Sequence, residues 1–264
     1  MDKRIKISIM AMRSAIQDKE NLESLAFSIL IKQTFVSSRI NNPTYRNLRS
    51  IFVIGNSKLK CLISNGIKLG YLRYDKEWLV ANKLNKQGVV FDFVGSDLTA
   101  SKTNSIVCKF TLKEIRNAIK KAVVVNHINN ANECFDTINS ANSPTNAREY
   151  RRARGKLKRM PNVKFANNQI SIKRFAEISN SSMYVAKMVI RDLKLKGNIV
   201  SKKSIIRTSI KPNEFGSNAV KWLRETGNYG SFFCYNSNGH KSIFCKLANV
   251  YNVKSSNIIL CAIW

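Results

Sequence analysis

Acidic residues are scarce in this chain of 264 residues: 16 Asp and Glu stand against 45 Lys and Arg, a formal charge of +29. They are dispersed, so there are no paired aspartates of the kind that hold two catalytic metals. Histidine is scarcer still, with only His127 and His240. Val125-Asn126-His127-Ile128-Asn129-Asn130 sets a His beside Asn as some nucleases do. No second His or acidic cluster accompanies it, and a solvated loop His is the simpler reading. The sequence lacks a G-x-x-x-x-G-K-[ST] phosphate loop, an H-E-x-x-H and a G-x-S-x-G, and also the Arg/His set of a tyrosine recombinase. These absences argue against an enzyme, a cofactor and a small-molecule substrate.

Long hydrophobic runs are also missing. No apolar stretch approaches the ~18 residues of a spanning helix, and the one after Lys3-Arg4 is cut by Arg13, too soon for a secretory signal. No C-x-x-C pair occurs among Cys61, Cys108, Cys134, Cys234, Cys245 and Cys261, which read as small apolar residues in a reducing compartment. Cys234, His240 and Cys245 fall on one hairpin, yet a structural zinc takes four ligands with tighter cysteine spacing. No metal and no membrane are expected, and a cytoplasmic location is the expectation.

What is present is positive charge on an otherwise ordinary globular composition, 44% hydrophobic. So large an excess repels itself unless a polyanion compensates it. Nucleic acid is the first candidate and an anionic membrane surface the second. The length suits two modest domains.

From Lys19 to Leu84 the pattern is helix, helix, tight turn, helix, hairpin. Asn21 can cap a helix carrying Leu22, Leu25, Ala26, Phe27, Ile29, Leu30 and Phe35. A short helical pattern through Tyr45, Leu48, Ile51 and Phe52 breaks at Gly55-Asn56, where a positive φ would turn the chain. Ser57 can cap the next helix, which carries Leu59, Leu62, Ile63 and Ile67 and stops at Gly70. Tyr71–Tyr74 and Trp78–Ala81 flank Asp75-Lys76-Glu77 as a small hairpin. This is the order of a winged helix-turn-helix.

The same order returns after Asn168. Ile170, Ile172, Phe175, Ala176 and Ile178 form a first helical face, Ser179–Ser182 the turn, and Val185, Ala186, Val189, Ile190 and Leu193 a second face ending at Gly197. Asn198–Val200 and Ile205–Arg207 around Ser201–Ser204 supply a second wing. Aligned on Gly70 and Gly197, Leu59 matches Ala186, Leu62 matches Val189 and Ile63 matches Ile190. Two unrelated helical bundles are the plainer alternative.

Between these units, Val89–Val94 reads as a strand, and Thr111-Leu112-Lys113-Glu114 opens a helix as a capping box. His127 to Thr145 is linker-like, rich in Asn, Ser and Ala. A basic run follows: Arg148, Arg151, Arg152, Arg154, Lys156, Lys158, Arg159 and Lys164 against Glu149. Past Pro212 come a short helix, an Asn-Gly hairpin over Phe232–Cys245, and a helix-like segment Leu247–Ser256 read as a packing piece. The expected fold is mainly α with small β-hairpins (α+β), two winged units in tandem. Residues 1–128 form the N-terminal winged-helix domain and 129–145 the linker-like segment. Residues 146–211 form a basic helix with the second winged unit, and 212–264 a C-terminal helix and hairpin.

The candidate DNA contacts fall opposite the apolar faces. They are Asn56, Ser57, Lys60, Ser64 and Lys68 on the first recognition helix, with Arg73 on its wing. On the second they are Ser182, Tyr184, Lys187, Arg191 and Lys194, with Lys202 and Lys203 on its wing. Arg148, Arg151, Arg152 and Arg154 suit the phosphate backbone. A helix fits the major groove, where Asn and Arg pair with base edges, while lysines suit phosphates. A solvated polar face is the competing reading. Lys19 to Leu84 holds eleven basic and four acidic residues and Phe165 to Lys211 ten and two, which favours binding.

Through Leu25–Lys32, Asn65–Tyr71 and Phe175–Asn180 the chain resembles tandem winged helix-turn-helix DNA-binding proteins of bacteriophages and mobile elements, particularly of the Bacteroidales type. It is similar in layout to plasmid replication initiators, from which it differs in its Asn-rich middle and C-terminal hairpin. The resemblance implies sequence-specific binding of double-stranded DNA, as a transcription regulator or in DNA replication, with self-association a further option. The alternative is a virion or packaging protein that coats nucleic acid by charge alone. RNA binding ranks third, since no aromatic RRM-like motif is present.

Overall fold

The computed structural model describes residues 3–84, 90–95, 110–142, 148–149, 151–152, 169–211, 215–226, 230–237 and 240–260. It is an α+β protein with small sheets, and the chain forms two compact units. Unit 1 holds residues 1–126, 176–198 and 255–264; unit 2 holds 127–175 and 199–254. Among the described residues no helix is long and apolar enough to cross a membrane.

Unit 1 opens with β1 (Lys3–Ser8), whose Ile5 and Ile7 point inward while Arg4 and Lys6 face solvent. It pairs antiparallel with β5 (Val90–Gly95), setting Ile5 opposite Phe93 and Ile7 opposite Phe91, and β11 (Ile258–Leu260) joins β5 in parallel. Ser8 caps α1 (Ile9–Ile16) through the Met10 amide. Helix α2 (Lys19–Thr34) is buried on nearly every side from Leu22 to Gln33. Its cap is Asp18, whose carboxylate accepts from the Asn21 amide at 2.8 Å, and not Asn21. Asn21 instead accepts from the Tyr71 hydroxyl at 2.6 Å.

After β2 (Arg39–Asn41), Thr44 caps α3 (Tyr45–Phe52). The left-handed residue expected at Gly55-Asn56 is Val53, with φ 54°. Its amide closes α3 on the Arg49 carbonyl at 2.9 Å, and a β-branched residue in this conformation is strained. Gly55, at φ −63°, becomes the N-cap of α4 (Asn56–Lys68), so Ser57 sits inside the helix and does not cap it. Strands β3 (Leu72–Asp75) and β4 (Trp78–Ala81) form the expected hairpin, and β2 adds to the far side of β4, giving the order β2-β4-β3. Phe27 and Phe52 meet edge to face at 5.2 Å in the core beneath.

The capping box forms: the Glu114 carboxylate accepts from the Thr111 amide at 2.7 Å, and the Thr111 hydroxyl from the Glu114 amide at 3.3 Å. The helix it opens, α5 (Leu112–Asn142), continues through most of the linker-like segment. Residues 129–142 are therefore helical, and 143–145 lie outside the described residues. Asn is a poor helix former, but here a tertiary bond supports the helix, with Asn132 donating to the Tyr251 carbonyl at 3.0 Å, and buried Thr137 donates within the helix to the Glu133 carbonyl at 2.6 Å. His127 accordingly stands half-buried in a helix and not in a loop.

Helix α6 (Ile172–Ile178) and the turn after it lead to α7 (Met183–Leu195). In unit 2, β6 (Ile199–Lys202) and β7 (Ile205–Arg207) do not pair with each other as a wing would. β6 pairs with β10 (Val250–Val253), and β7 with β9 (His240–Leu247), which forms a long hairpin with β8 (Gly230–Ser237). The segment expected to be helical near residue 250 is thus a strand. Its Tyr251 is buried against Phe175 at 5.1 Å, a β-type residue whose burial outweighs the helical spacing around it. Helix α8 (Phe215–Thr226) lays Phe215 and Trp222 on Phe232, at 5.4 and 5.9 Å.

Candidate nucleic-acid interface

Helix α4 separates its two faces cleanly. Leu59, Leu62, Ile63 and Gly66 are buried, while Asn56, Ser57, Lys60, Ser64 and Lys68 are all exposed. The Lys60 ammonium lies 5.7 Å from the centre of the Tyr45 ring on α3, a cation–π contact that steadies it without neutralising it. The neighbouring acids are already engaged. Glu23 is buried and pairs with Lys58 and, at 2.8 Å, with Arg116. Glu20 accepts from the Asn65 amide group at 2.9 Å. The outer face of α4 is left cationic.

Helix α7 repeats this division. Ala186, Val189, Ile190 and Leu193 are buried; Tyr184, Lys187, Arg191 and Lys194 are exposed, Tyr184 to 73%. Ser182 caps the helix, its hydroxyl accepting from the Val185 amide at 3.3 Å, so its first role is structural. Asp192, the only acid of α7, pairs with Lys121 and with Lys196 at 3.6 Å. The turn before α7 is anchored by Asn180, which donates to the carbonyls of Ile16 and Gln17 at 3.0 and 3.2 Å. Gly70 and Gly197 end the two helices with φ of +74° and +69°, a conformation that glycine alone adopts without strain. The three matched pairs of inward residues are buried in both helices.

Other sequence candidates are distributed differently. Arg148, Arg151 and Arg152 are exposed on helical backbone, and Arg154 lies outside the described residues. Lys202 and Lys203 are exposed, but Lys202 ends β6 and Lys203 follows it on the way to another sheet, so neither is at a hairpin tip. Cys234 is exposed and Cys245 buried, its thiol pushed up by burial. Among the described residues no three metal-ligating side chains come together.

Arg73, expected on the wing, stands in a larger group of cations. The sheet register sets Arg39, Val80 and Arg73 in one row across β2, β4 and β3. Side chains of one row share a face, and strands lie ~4.8 Å apart, so the two guanidinium groups flank Val80. Lys32 and Lys83 complete the same recess of about 580 Å³. No local pattern announces this group, because its members are drawn from a helix end, three strands and the segment after β4. No protein family, curated protein or solved structure matches the chain.

Proposed function

We propose that this chain is a double-stranded DNA-binding protein that reads sequence through two helix-turn-helix units, α3–α4 and α6–α7. The observation that carries the reading is the shared register of α4 and α7. Each buries the same three positions, turns a polar and cationic face outward, and ends on a left-handed glycine. A single helix of this width enters the major groove. For the first unit, the order helix, strand, two helices, hairpin with the sheet β2-β4-β3 supports a winged form. The second unit has the helices and the turn, but its following strands pair elsewhere. The charge of +29 supplies the phosphate attraction common to such proteins. The role we propose is a transcription regulator or replication initiator of a bacteriophage or mobile element.

The test is selection of bound sequences from a random duplex pool, followed by titration of a selected and a scrambled duplex at one salt concentration. Sequence-specific binders favour their sites ~10³–10⁷-fold over random DNA, and a gap of at least tenfold is expected. Equal binding of the two duplexes overturns the reading and leaves the nucleic-acid-coating alternative in its place.

A further inference from the structure

The recess beside the β2-β4-β3 sheet is lined by Lys32, Arg39, Arg73 and Lys83 together with Ser38 and Asn82, and its lining holds four cations and no acid. Lys32, in the last turn of α2, is only 7% exposed. Among the described residues no carboxylate pairs with any of the four. Arg73 donates to the neutral side-chain oxygen of Asn82. Asn82 is itself held, its side chain donating to the Gly70 carbonyl and its amide to the Tyr71 carbonyl, both at 2.9 Å. Ser38 is fixed on both sides: its amide donates to the Phe35 carbonyl and its carbonyl accepts from the Ala81 amide, each at 3.0 Å. The cations thus stand on a braced frame around a volume within the range of small-ligand sites.

A buried ammonium with no counter-charge is costly, and four cations converging on one opening repel one another. A dense anion offsets both penalties, and a phosphate offers guanidinium and ammonium donors several charged acceptor oxygens at once. We infer that the recess is a phosphate-binding site, filled by a phosphorylated small molecule or by a backbone phosphate of nucleic acid. The inference stands on these residues alone and does not require α4 or α7 to read DNA. Burial holds Lys32 down to about 8, so affinity falls as pH rises past that value. The other charged groups facing the recess are Arg39, Arg73 and Lys83.

Pyrophosphate is the first probe, titrated calorimetrically into the full chain at fixed salt. Saturable one-to-one binding is expected, weakened at least tenfold by Lys32→Met and by Arg39→Gln. Arg39 is exposed, so its variant keeps the test free of folding effects. Lys19→Met removes one charge from the first turn of the same helix, outside the recess, and should change binding less than twofold. Absence of saturable binding, or equal losses in Lys19→Met and Lys32→Met, overturns the site. A second arm compares ATP with a duplex. Lys32-dependent binding of ATP with unchanged duplex binding assigns the recess to a small molecule. A tenfold loss of duplex binding in Lys32→Met assigns it to the backbone.

Discussion

Lys32 shows how a single side chain carries both a cost and a use. Its ammonium titrates near 8 in the fold because burial disfavours the charge, against 10.5 for an ordinary lysine. Between those values the unfolded chain holds one proton more, so stability rises with pH across that window; below about 8 the full penalty applies. Lys32→Met should therefore stabilise the protein at pH 7, by at most about 3 kcal/mol. Its advantage should shrink as pH climbs from 8 to 10. Urea unfolding at several pH values checks this, and a destabilised variant with an unchanged profile would show that the ammonium is compensated. Arg191 is the corresponding test on α7. Loss of a bidentate base contact costs ~1–3 kcal/mol and relaxes specificity. Arg191→Ala should narrow the gap between selected and scrambled duplexes, whereas Arg151→Ala and Arg152→Ala should weaken both alike. Titrations in which Arg191→Ala weakens both equally contradict the assignment of α7.

At the scale of elements, α4 is placed by close approach to the hairpin. A Cβ added at Gly66 would lie 2.7 Å from Leu72 Cδ1 and 3.0 Å from its Cγ. Leu72 is 1% exposed, so it has no open space to swing into. Alanine in a helix gains ~1 kcal/mol over glycine, while overpacking costs ~1–3 kcal/mol. Gly66→Ala is expected to lower the urea midpoint despite the better helix former, and a raised midpoint would mean that Leu72 repacks freely. Elements held by local signals follow the sequence closely. The periodic faces of α4 and α7, their glycine stops and the hairpins β3–β4 and β8–β9 depend on residues within a few positions of one another. Caps were less legible. Asp18 and Asn21 are both good capping residues three positions apart, and Gly55 competes with Ser57; only the path of the chain selects between them. The length of α5 is not legible locally, because Asn, Ser and Ala read as a linker until Asn132 finds its partner on β10.

For the molecule as a whole, charge is the dominant property. If six to ten phosphates are contacted, duplex affinity should fall ~10³–10⁵-fold between 50 and 200 mM salt. A flat titration would rule out backbone binding on this scale. The acids that are present do not dilute this field evenly. Glu23 and Asp192 are each paired to two cations, so the outer faces of α4 and α7 keep their excess.

The charge, the matched registers and glycine stops of α4 and α7, and the local hairpins are legible in the order of the residues. All of these arise from spacings of two to four residues or from simple counts. Tertiary structure alone decided which strand edges meet. β6 and β7 are close enough in sequence to form a hairpin, yet each finds a longer partner near the C-terminus, where Tyr251 and the β8–β9 hairpin offer apolar surface to bury. It also decided the cationic recess, because Lys32, Arg39, Arg73 and Lys83 line one opening only once β2 has added to β4. Pairing between distant segments depends on which edges and apolar faces remain unburied after local elements form, and no periodicity within either segment encodes that.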